Sequence, residues 1–450
     1  MYADRGGVPM QENLTALVES AGIVGAGGAG FPTHVKLNAK ADTVIINGAE
    51  CEPLLRVDQQ LMAKQAGRLL EALNRIVVHL GADEGVVALK EHYHTAAEAL
   101  QHELVNYPKL RLHLLGAFYP AGDEQVIVYE VTGRVVPEGG IPMNVGVVVT
   151  NVETALNVLD AAGGQPVTEK YVTLTGAVRT PKTVKVPLGI TVAEALELAG
   201  GPTVTDYRVV NGGPMMGRLV SPESVITKTT KGLIVIPSGH PLLNSLERPL
   251  NVSLRQAATA CMQCSLCSEV CPRGLLGHRI QPHKLMRIAA YGSMCDPAQT
   301  PMNAYLCCGC RLCEYACVMG LQPWKLNGNL KSILGEQGIR NSLNNKPDHA
   351  APFREYKRYP VHKLIHQLGL AVYDVDAPME EAAVPAYGKV TLPLRQNVGA
   401  PAEPVVSVGD QVEKGDLIAR IPKDKLGANL HASISGTVIV VDNGSIVIQA

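Results

Sequence analysis

The sequence predicts a multidomain chain that joins α/β and α+β parts to a helical, cysteine-rich region and a compact β end. Three observations predict it. In the first third, short apolar strands alternate with amphipathic helices. Ten of the eleven cysteines of the 450-residue chain lie between Cys261 and Cys317. After residue 388, short alternating strands are broken by glycine.

Taken in order, residues 11–24 carry Leu14, Leu17 and Val18 at helical spacing, and a glycine-rich turn follows at Gly25–Gly30. Residues 43–47 read as a short buried strand and residues 59–80 as one long helix. Val86–Leu89 and Arg111–Leu115 read as strands around a helix at Ala96–Val105, and Asn151–Ala161 is helical. That alternation predicts a largely parallel sheet within residues 1–165. The texture changes over residues 166–248, a small α+β module. There, Tyr171–Val178 and Thr183–Val186 flank a turn, Thr191–Leu198 is a short helix, and Tyr207–Val210 and Gly232–Ile236 are strands. Residues 249–340 are helical between cysteines. Residues 341–384 are polar, a linker with one helix at Val361–Leu370. Residues 385–450 hold strands at Val405–Val408, Leu417–Ile421, Gly436–Val441 and Ser445–Gln449, a β barrel or sandwich.

Composition excludes several classes. The 40 basic residues nearly cancel the 41 acidic ones, so nothing points to nucleic acid. Apolar stretches such as Val145–Thr150 fall far short of the ~20 residues of a membrane helix, so no transmembrane segment is expected. No apolar run with a cleavage site follows Asp4 and Arg5, which predicts an unprocessed N-terminus. Cysteines concentrated in one region of a long chain fit a reducing, cytoplasmic setting with metal-bound thiolates.

Two cysteine quartets are spaced C-x2-C-x2-C-x3-C, and each cysteine of the first has a counterpart 46 residues on: 261/307, 264/310, 267/313, 271/317. This is the bacterial ferredoxin run, in which the fourth cysteine serves the other cluster. The spacing therefore predicts two [4Fe–4S] clusters, one on Cys261, Cys264, Cys267 and Cys317, the other on Cys307, Cys310, Cys313 and Cys271. Zinc is the competing reading, but zinc sites usually pair two C-x2-C knuckles. Val318 stands where the first run has Pro272, and Cys308 beside Cys307 is a rival ligand. Cys51 and Cys295 read as buried free thiols.

The loop G25-A-G-G-A-G-F-P-T-H-V-K36 follows a helix rather than a strand, so it is no standard dinucleotide fingerprint. It offers backbone N–H groups unshielded by side chains, suited to a phosphate or a flat ring, and Lys36 adds a positive charge. N47-G-A-E50-C-E52-P53, Y119-P-A-G122-D123-E124-Q125 and T150-N151-V-E153-T154 add polar turns. Solvated acids and plain helix capping are the alternatives at each.

These four stretches resemble the flavin and NADH site of the flavoprotein subunit of respiratory complex I, and more closely the RnfC subunit of the Rnf complex. The resemblance implies a Rossmann-like domain that holds FMN at Gly25, Gly27, Gly28, Gly30 and Lys36, with further contacts at Asn47, Glu50, Asp123, Asn151 and Thr154. Phe31 and Glu52 would face the nicotinamide nucleotide, and Glu124 would lie between the two. Here Ala26 replaces the family's arginine and Cys51 a glycine. Residues 171–201 resemble an SLBB module, a β-grasp unit, and G212-G-P-M-M-G217 resembles a segment of RnfC. Residues 399–438 resemble a barrel-sandwich hybrid, as in biotinyl and lipoyl carriers. Lys425 falls where a lipoyl lysine would, although an unmodified surface lysine is the expectation.

RnfC carries this barrel at its N-terminus. The C-terminal order here is similar to the cobalamin reductases of bacterial propanediol-utilisation microcompartments. That resemblance implies NADH as donor and cobalamin as acceptor, with cob(III)alamin or cob(II)alamin reduced toward cob(I)alamin. It also implies a cobalamin adenosyltransferase and microcompartment shell or cargo proteins as partners, and allows a homo-oligomer. No general acid or base is nominated. An electron-input subunit of a membrane redox complex, and a non-enzymatic cluster-bearing scaffold, are the alternatives.

Overall fold

The computed structural model describes residues 13–291, 301–380 and 385–450. The readings made for the N-terminal residues 1–12 and for Cys295 lie outside them.

The N-terminal part holds β1 (Thr43–Gly48), β2 (Glu84–Lys90), β3 (Leu110–Leu115), β4 (Phe118–Tyr119) and β5 (Val147–Asn151). Four of these form a sheet in the order β3-β2-β1-β5, parallel throughout. Its helices are α1 (Leu14–Ser20), α2 (Thr33–Lys36), α3 (Val57–Lys64), α4 (Ala66–Leu80), α5 (His94–Glu103), α6 (Glu124–Thr132) and α7 (Val152–Ala162). Alternation along β1 explains the layers. Val44 and Ile46 face the cluster built by α3, α4 and α7, while Ile45 faces Val126, Ile127 and Val131 of α6. The long helix expected over residues 59–80 is two helices. At Gln65 the backbone leaves the helical region (φ −125°, ψ 34°), and its side chain donates to the Tyr171 hydroxyl at 3.2 Å.

The next part is a five-stranded sheet in the order β7-β6-β10-β8-β9. Its strands are β6 (Glu169–Gly176), β7 (Lys182–Pro187), β8 (Tyr207–Asn211), β9 (Arg218–Val220) and β10 (Gly232–Pro237). Helix α8 (Val192–Glu197) starts in a capping box made by Thr191 and Glu194.

The cysteine region repeats in its backbone as it does in sequence. Ser265 (φ 62°, ψ 4°) precedes the short helix Leu266–Glu269, and 46 residues on Arg311 (φ 62°, ψ 1°) precedes Leu312–Tyr315. Gln263 (φ 57°) and Gly309 (φ 71°) correspond in the same way. Left-handed residues between the cysteines turn the chain sharply enough to present successive thiols to one side.

Residues 341–380, expected as a linker with one helix, strap the parts together. Tyr359–Pro360 forms β11 against β4, and the helix Val361–Gln367 buries Leu364 and Ile365 with Tyr119, Val210, Ile234 and Cys310. The C-terminal part is two sheets, one of Lys389–Pro393, Ser445–Gln449, Gly436–Val441 and Gln411–Val412, the other of Glu403–Pro404, Leu417–Arg420 and Leu430–His431. Lys425 is exposed on the turn before Leu430.

Candidate functional site

Between β1 and β5 the strand order reverses, because the chain runs from β1 outward to β2 and β3 and then returns to the far side of β1. In open parallel sheets ligands bind at such a point, outside the carboxyl ends of the strands. The turns after β1 and β5 are the predicted N47-G-A-E50 and T150-N151-V-E153-T154 stretches.

The glycine loop lies over this edge. Ala26 N–H donates to Thr154 Oγ1 at 2.9 Å, and a side chain at Gly27 would meet Asn151 at 3.5 Å. Asn151 caps α7, its Oδ1 accepting from Glu153 and Thr154, and its Nδ2 donates to Asp58 at 2.8 Å. Gly25 and Gly30 close the loop through Gly25 N–H to Phe31 and Gly30 N–H to Gly25. Gly27, Gly28 and Ala29 are exposed, and their N–H groups have no partner among the described residues. Gly28 has φ +116° and open space beside it. Lys36 donates to Glu124 at 2.8 Å and to the carbonyl of Val149, and its ammonium lies 5.9 Å from the Phe31 ring.

Three predicted acids face inward instead. Glu50 sits at φ +37°, and its carboxylate accepts from the N–H groups of Asp58 and Gln59, holding the start of α3. Burial raises its pKa, and the neighbouring Asp58 adds to the rise. Glu52 Oε2 accepts from Met215 N–H at 2.8 Å, which takes it to the G212–G217 segment, while Oε1 is buried without a partner among the described residues. Burial pushes this carboxyl up to about 7. Asp123 Oδ1 caps α6, and its Oδ2 accepts from Arg273 at 2.8 Å. Asn47 Nδ2 holds the carbonyl of Gly122 at 2.8 Å, and Cys51 Sγ accepts from Gly122 N–H.

Behind the loop lie charges that sequence reading missed. Lys231 pairs with Asp58, and Lys170 with Glu153, all four side chains under a tenth exposed. Asp58 Oδ1 has no partner among the described residues. Asp58 and Lys231 carried no signal because 173 positions separate them, and Lys170, 17 positions from Glu153, lies in a different part of the fold. The barrel contributes too: Val398 N–H donates to Gly30, and Asn397 from the barrel and Thr229 from the loop before β10 crowd Gly30. A cavity of about 640 Å³ elsewhere, between α4 and the strands of the second sheet, is lined by none of the nominated residues.

The fit to a flavin nucleotide rests on what is unsatisfied. Free N–H groups at Gly27–Ala29 beside Lys36 suit a phosphate. Buried acceptors at Asp58 Oδ1 and Glu52 Oε1 suit ring N–H or hydroxyl donors.

Among the described residues no three Cys, His, Asp or Glu side chains converge on a single-ion site, so the test of fit is the chemistry of the donor sets. Burial and then Cys317, Cys261 and Cys264 push the Cys267 thiol up to about 12, which marks those four as one neighbourhood. Burial and then Cys307, Cys271 and, from the first set, Cys267 raise Cys313, while Cys308, Cys313 and Cys271 lie about Cys310. Cys261 and Cys317 pack on Ala257, Met286, Leu321 and Leu326, whereas Cys271 and Cys307 pack on Ile280 and Leu306. Two sets of four thiolates are what [4Fe–4S] clusters take. Cys308 packs against the cluster of Tyr119 and Cys310 and lies close to Cys310 and Cys271 as well.

Family models match four stretches: a Nuo51 FMN-binding domain at residues 18–160, an SLBB domain at 171–219, a 4Fe-4S dicluster domain at 260–322 and an RnfC barrel sandwich hybrid domain at 373–449. The chain is 44% identical to cobalamin reductase PduS of Salmonella typhimurium over 97% of its length and 96% of that protein. It is equally 44% identical to cobalamin reductase PduS of Citrobacter freundii, over the same shares. It is 34% identical to one subunit of the Na(+)-translocating ferredoxin:NAD(+) oxidoreductase complex of Acetobacterium woodii, over 58% of this chain and 57% of that one. No helix of the described residues is long and apolar enough to cross a membrane.

Proposed function

The chain belongs to the family of the cobalamin reductases PduS, and from that premise we propose that it is a flavo-iron–sulfur oxidoreductase that carries electrons from NADH to cobalamin. Bound FMN supplies conversion between two-electron and one-electron transfer, and two bound [4Fe–4S] clusters supply one-electron transfer. The chain's own residues hold these groups. Gly27, Gly28 and Lys36 offer donors to an anionic nucleotide, and Asn151 and Thr154 fix the loop that presents them. Cys261, Cys264, Cys267 and Cys317 hold one cluster; Cys307, Cys310, Cys313 and Cys271 hold the other.

One observation carries the reading: the flavin-side turn is joined directly to both cysteine runs, at Arg273 just after Cys271 and at Cys310. Asp123 is paired with Arg273, and the Tyr119 hydroxyl donates to Cys310 O at 3.0 Å. A binding scaffold has no need of that junction, whereas one-electron transfer needs the two groups held rigidly together. The donor NADH, the reduction toward cob(I)alamin and a place in a bacterial microcompartment with an adenosyltransferase are further parts of the proposal, supported by the family.

Anaerobic titration with NADH, followed by visible and EPR spectroscopy and then by added cob(II)alamin, tests it. Flavin bleaching, then two cluster signals, then loss of both on adding cobalamin is expected. Reduced clusters that persist in the presence of cobalamin overturn the acceptor and spare the rest.

A further inference from the structure

Arg273 stands two residues after Cys271 and reaches back to the N-terminal part. Its Nη2 donates to Asp123 Oδ2 at 2.8 Å, and both side chains are 12% exposed. Its Nη1 is buried and has no hydrogen-bond partner among the described residues. The guanidinium lies in the field of Asp123, then of Cys308, whose sulfur is within its hydrogen-bonding reach, then of Cys271. A guanidinium does not lose its proton in proteins, and a buried N–H left without a partner destabilises the fold. A sulfur atom held by the neighbouring cysteines would satisfy it.

The other centre, that of Cys261, Cys264, Cys267 and Cys317, has no such arrangement. The residue corresponding to Arg273 there is Met319, 44% exposed, and the ligand Cys264 is exposed as well. The potential of an iron–sulfur centre rises with positive charge nearby, with hydrogen bonds to its sulfurs and with its surroundings.

We propose that Arg273 is a positioning residue for the centre held by Cys271, Cys307, Cys310 and Cys313, fixing it against the Asp123 turn and donating from Nη1 to sulfur there. The inference rests on the reading that both cysteine runs carry [4Fe–4S] clusters. It makes the buried, flavin-facing centre the one whose reduction Arg273 favours, while the exposed centre is untouched.

The test is an EPR-monitored potentiometric titration of the full-length protein loaded with flavin and clusters, with iron and flavin content measured alongside. Cys264→Ser, which perturbs only the first run, assigns the signals. In Arg273→Met the signal that survives in Cys264→Ser is expected to move to more negative potential. A tenfold change in its reduction equilibrium, about 59 mV for one electron, is the scale expected. The other signal stays in place. Arg273→Lys, which keeps the cation and loses the planar fork, moves the same signal less. If the Met variant fails to load iron, the Lys variant decides alone. Two signals that ignore both substitutions, or that shift together, overturn the inference. A wild-type protein without two cluster signals overturns the cluster reading and the inference with it.

Discussion

The hydroxyl of Tyr119 donates to the backbone carbonyl of Cys310 at 3.0 Å, across 191 positions of sequence. Tyr119 is 2% exposed, and its ring packs in the same cluster as Leu364 and Ile365 of the strap and Val210 and Ile234 of the second sheet. One side chain thus sets the second cysteine run against three other parts of the fold. Tyr119→Phe keeps the ring and leaves the Cys310 carbonyl without this donor. A loss of about 1–3 kcal/mol in stability is expected, read as a lower melting temperature under anaerobic conditions with flavin still bound. An unchanged melting temperature would show that the bond contributes nothing net.

The two adjacent cysteines are expected to behave differently. Cys307 packs with Cys271, Ile280 and Leu306, while Cys308 packs with Tyr119 and Cys310 and is within reach of Arg273. Cys307→Ala should lower bound iron by about half, the loss of one of two [4Fe–4S] clusters. Cys308→Ala should keep the full complement. Iron and sulfide assays on anaerobically purified variants decide between them, and the opposite pattern would make Cys308 the ligand.

What was legible in the sequence was local. The cysteine spacing, the glycine loop and the polar turns each sit within a few residues, and the parallel sheet follows from apolar runs alternating with helices. What was not legible depended on direction or on distance. Glu50 was read as a ligand contact, but its left-handed backbone at φ +37° turns the carboxylate onto the N-terminus of α3. Lys231 lies 173 positions from Asp58 and Arg273 lies 150 from Asp123, and no local pattern marks Lys231, Asp58 or Arg273. Gln65 sits inside a helical pattern, and its contact with Tyr171, 106 positions on, accompanies a break that periodicity cannot show.

The Lys231–Asp58 pair is buried behind the glycine loop. Burial pulls the Lys231 pKa down, but Asp58 and Glu50 hold it above its usual value. Lys231→Met strands the Asp58 carboxylate beside Glu50, and about 3–5 kcal/mol should be lost. Asp58→Asn added to it removes the stranded charge and should recover most of that. A double variant no more stable than Lys231→Met would show that the cost lies in packing rather than charge.

Glu52 gives a pH signature. Burial raises its carboxyl from 4.5 to about 7 in the folded chain. The folded state therefore holds a proton that the unfolded state releases, and the resulting stability is complete below about 4.5 and lost as pH rises through about 7. The full effect is at most about 3 kcal/mol. Between pH 5 and pH 8 the wild-type melting temperature should fall more steeply than that of Glu52→Gln. Parallel profiles would mean that the carboxyl ionises in both states alike.

The first cysteine run faces outward. Cys264 is exposed; Met262 and Leu266 in that run are 61% and 40% exposed, and Val318 and Met319, next after Cys317, are 65% and 44% exposed. Four large apolar side chains beside ligand positions leave uncovered area that an acceptor with an apolar face would remove from water. The second run, closed in by Tyr119 and the Asp123–Arg273 pair, offers no such approach. If cobalamin is met at the first run, Met262→Glu and Val318→Glu should slow its reduction roughly tenfold, the equivalent of about 1.4 kcal/mol. Bleaching of flavin and clusters by NADH should keep its wild-type rate, because both side chains are exposed and neither is a cluster ligand. Stopped-flow traces with and without cobalamin separate the two steps. Slowed bleaching would place the defect upstream, and unchanged cobalamin reduction in both variants would exclude this face as the point of exit.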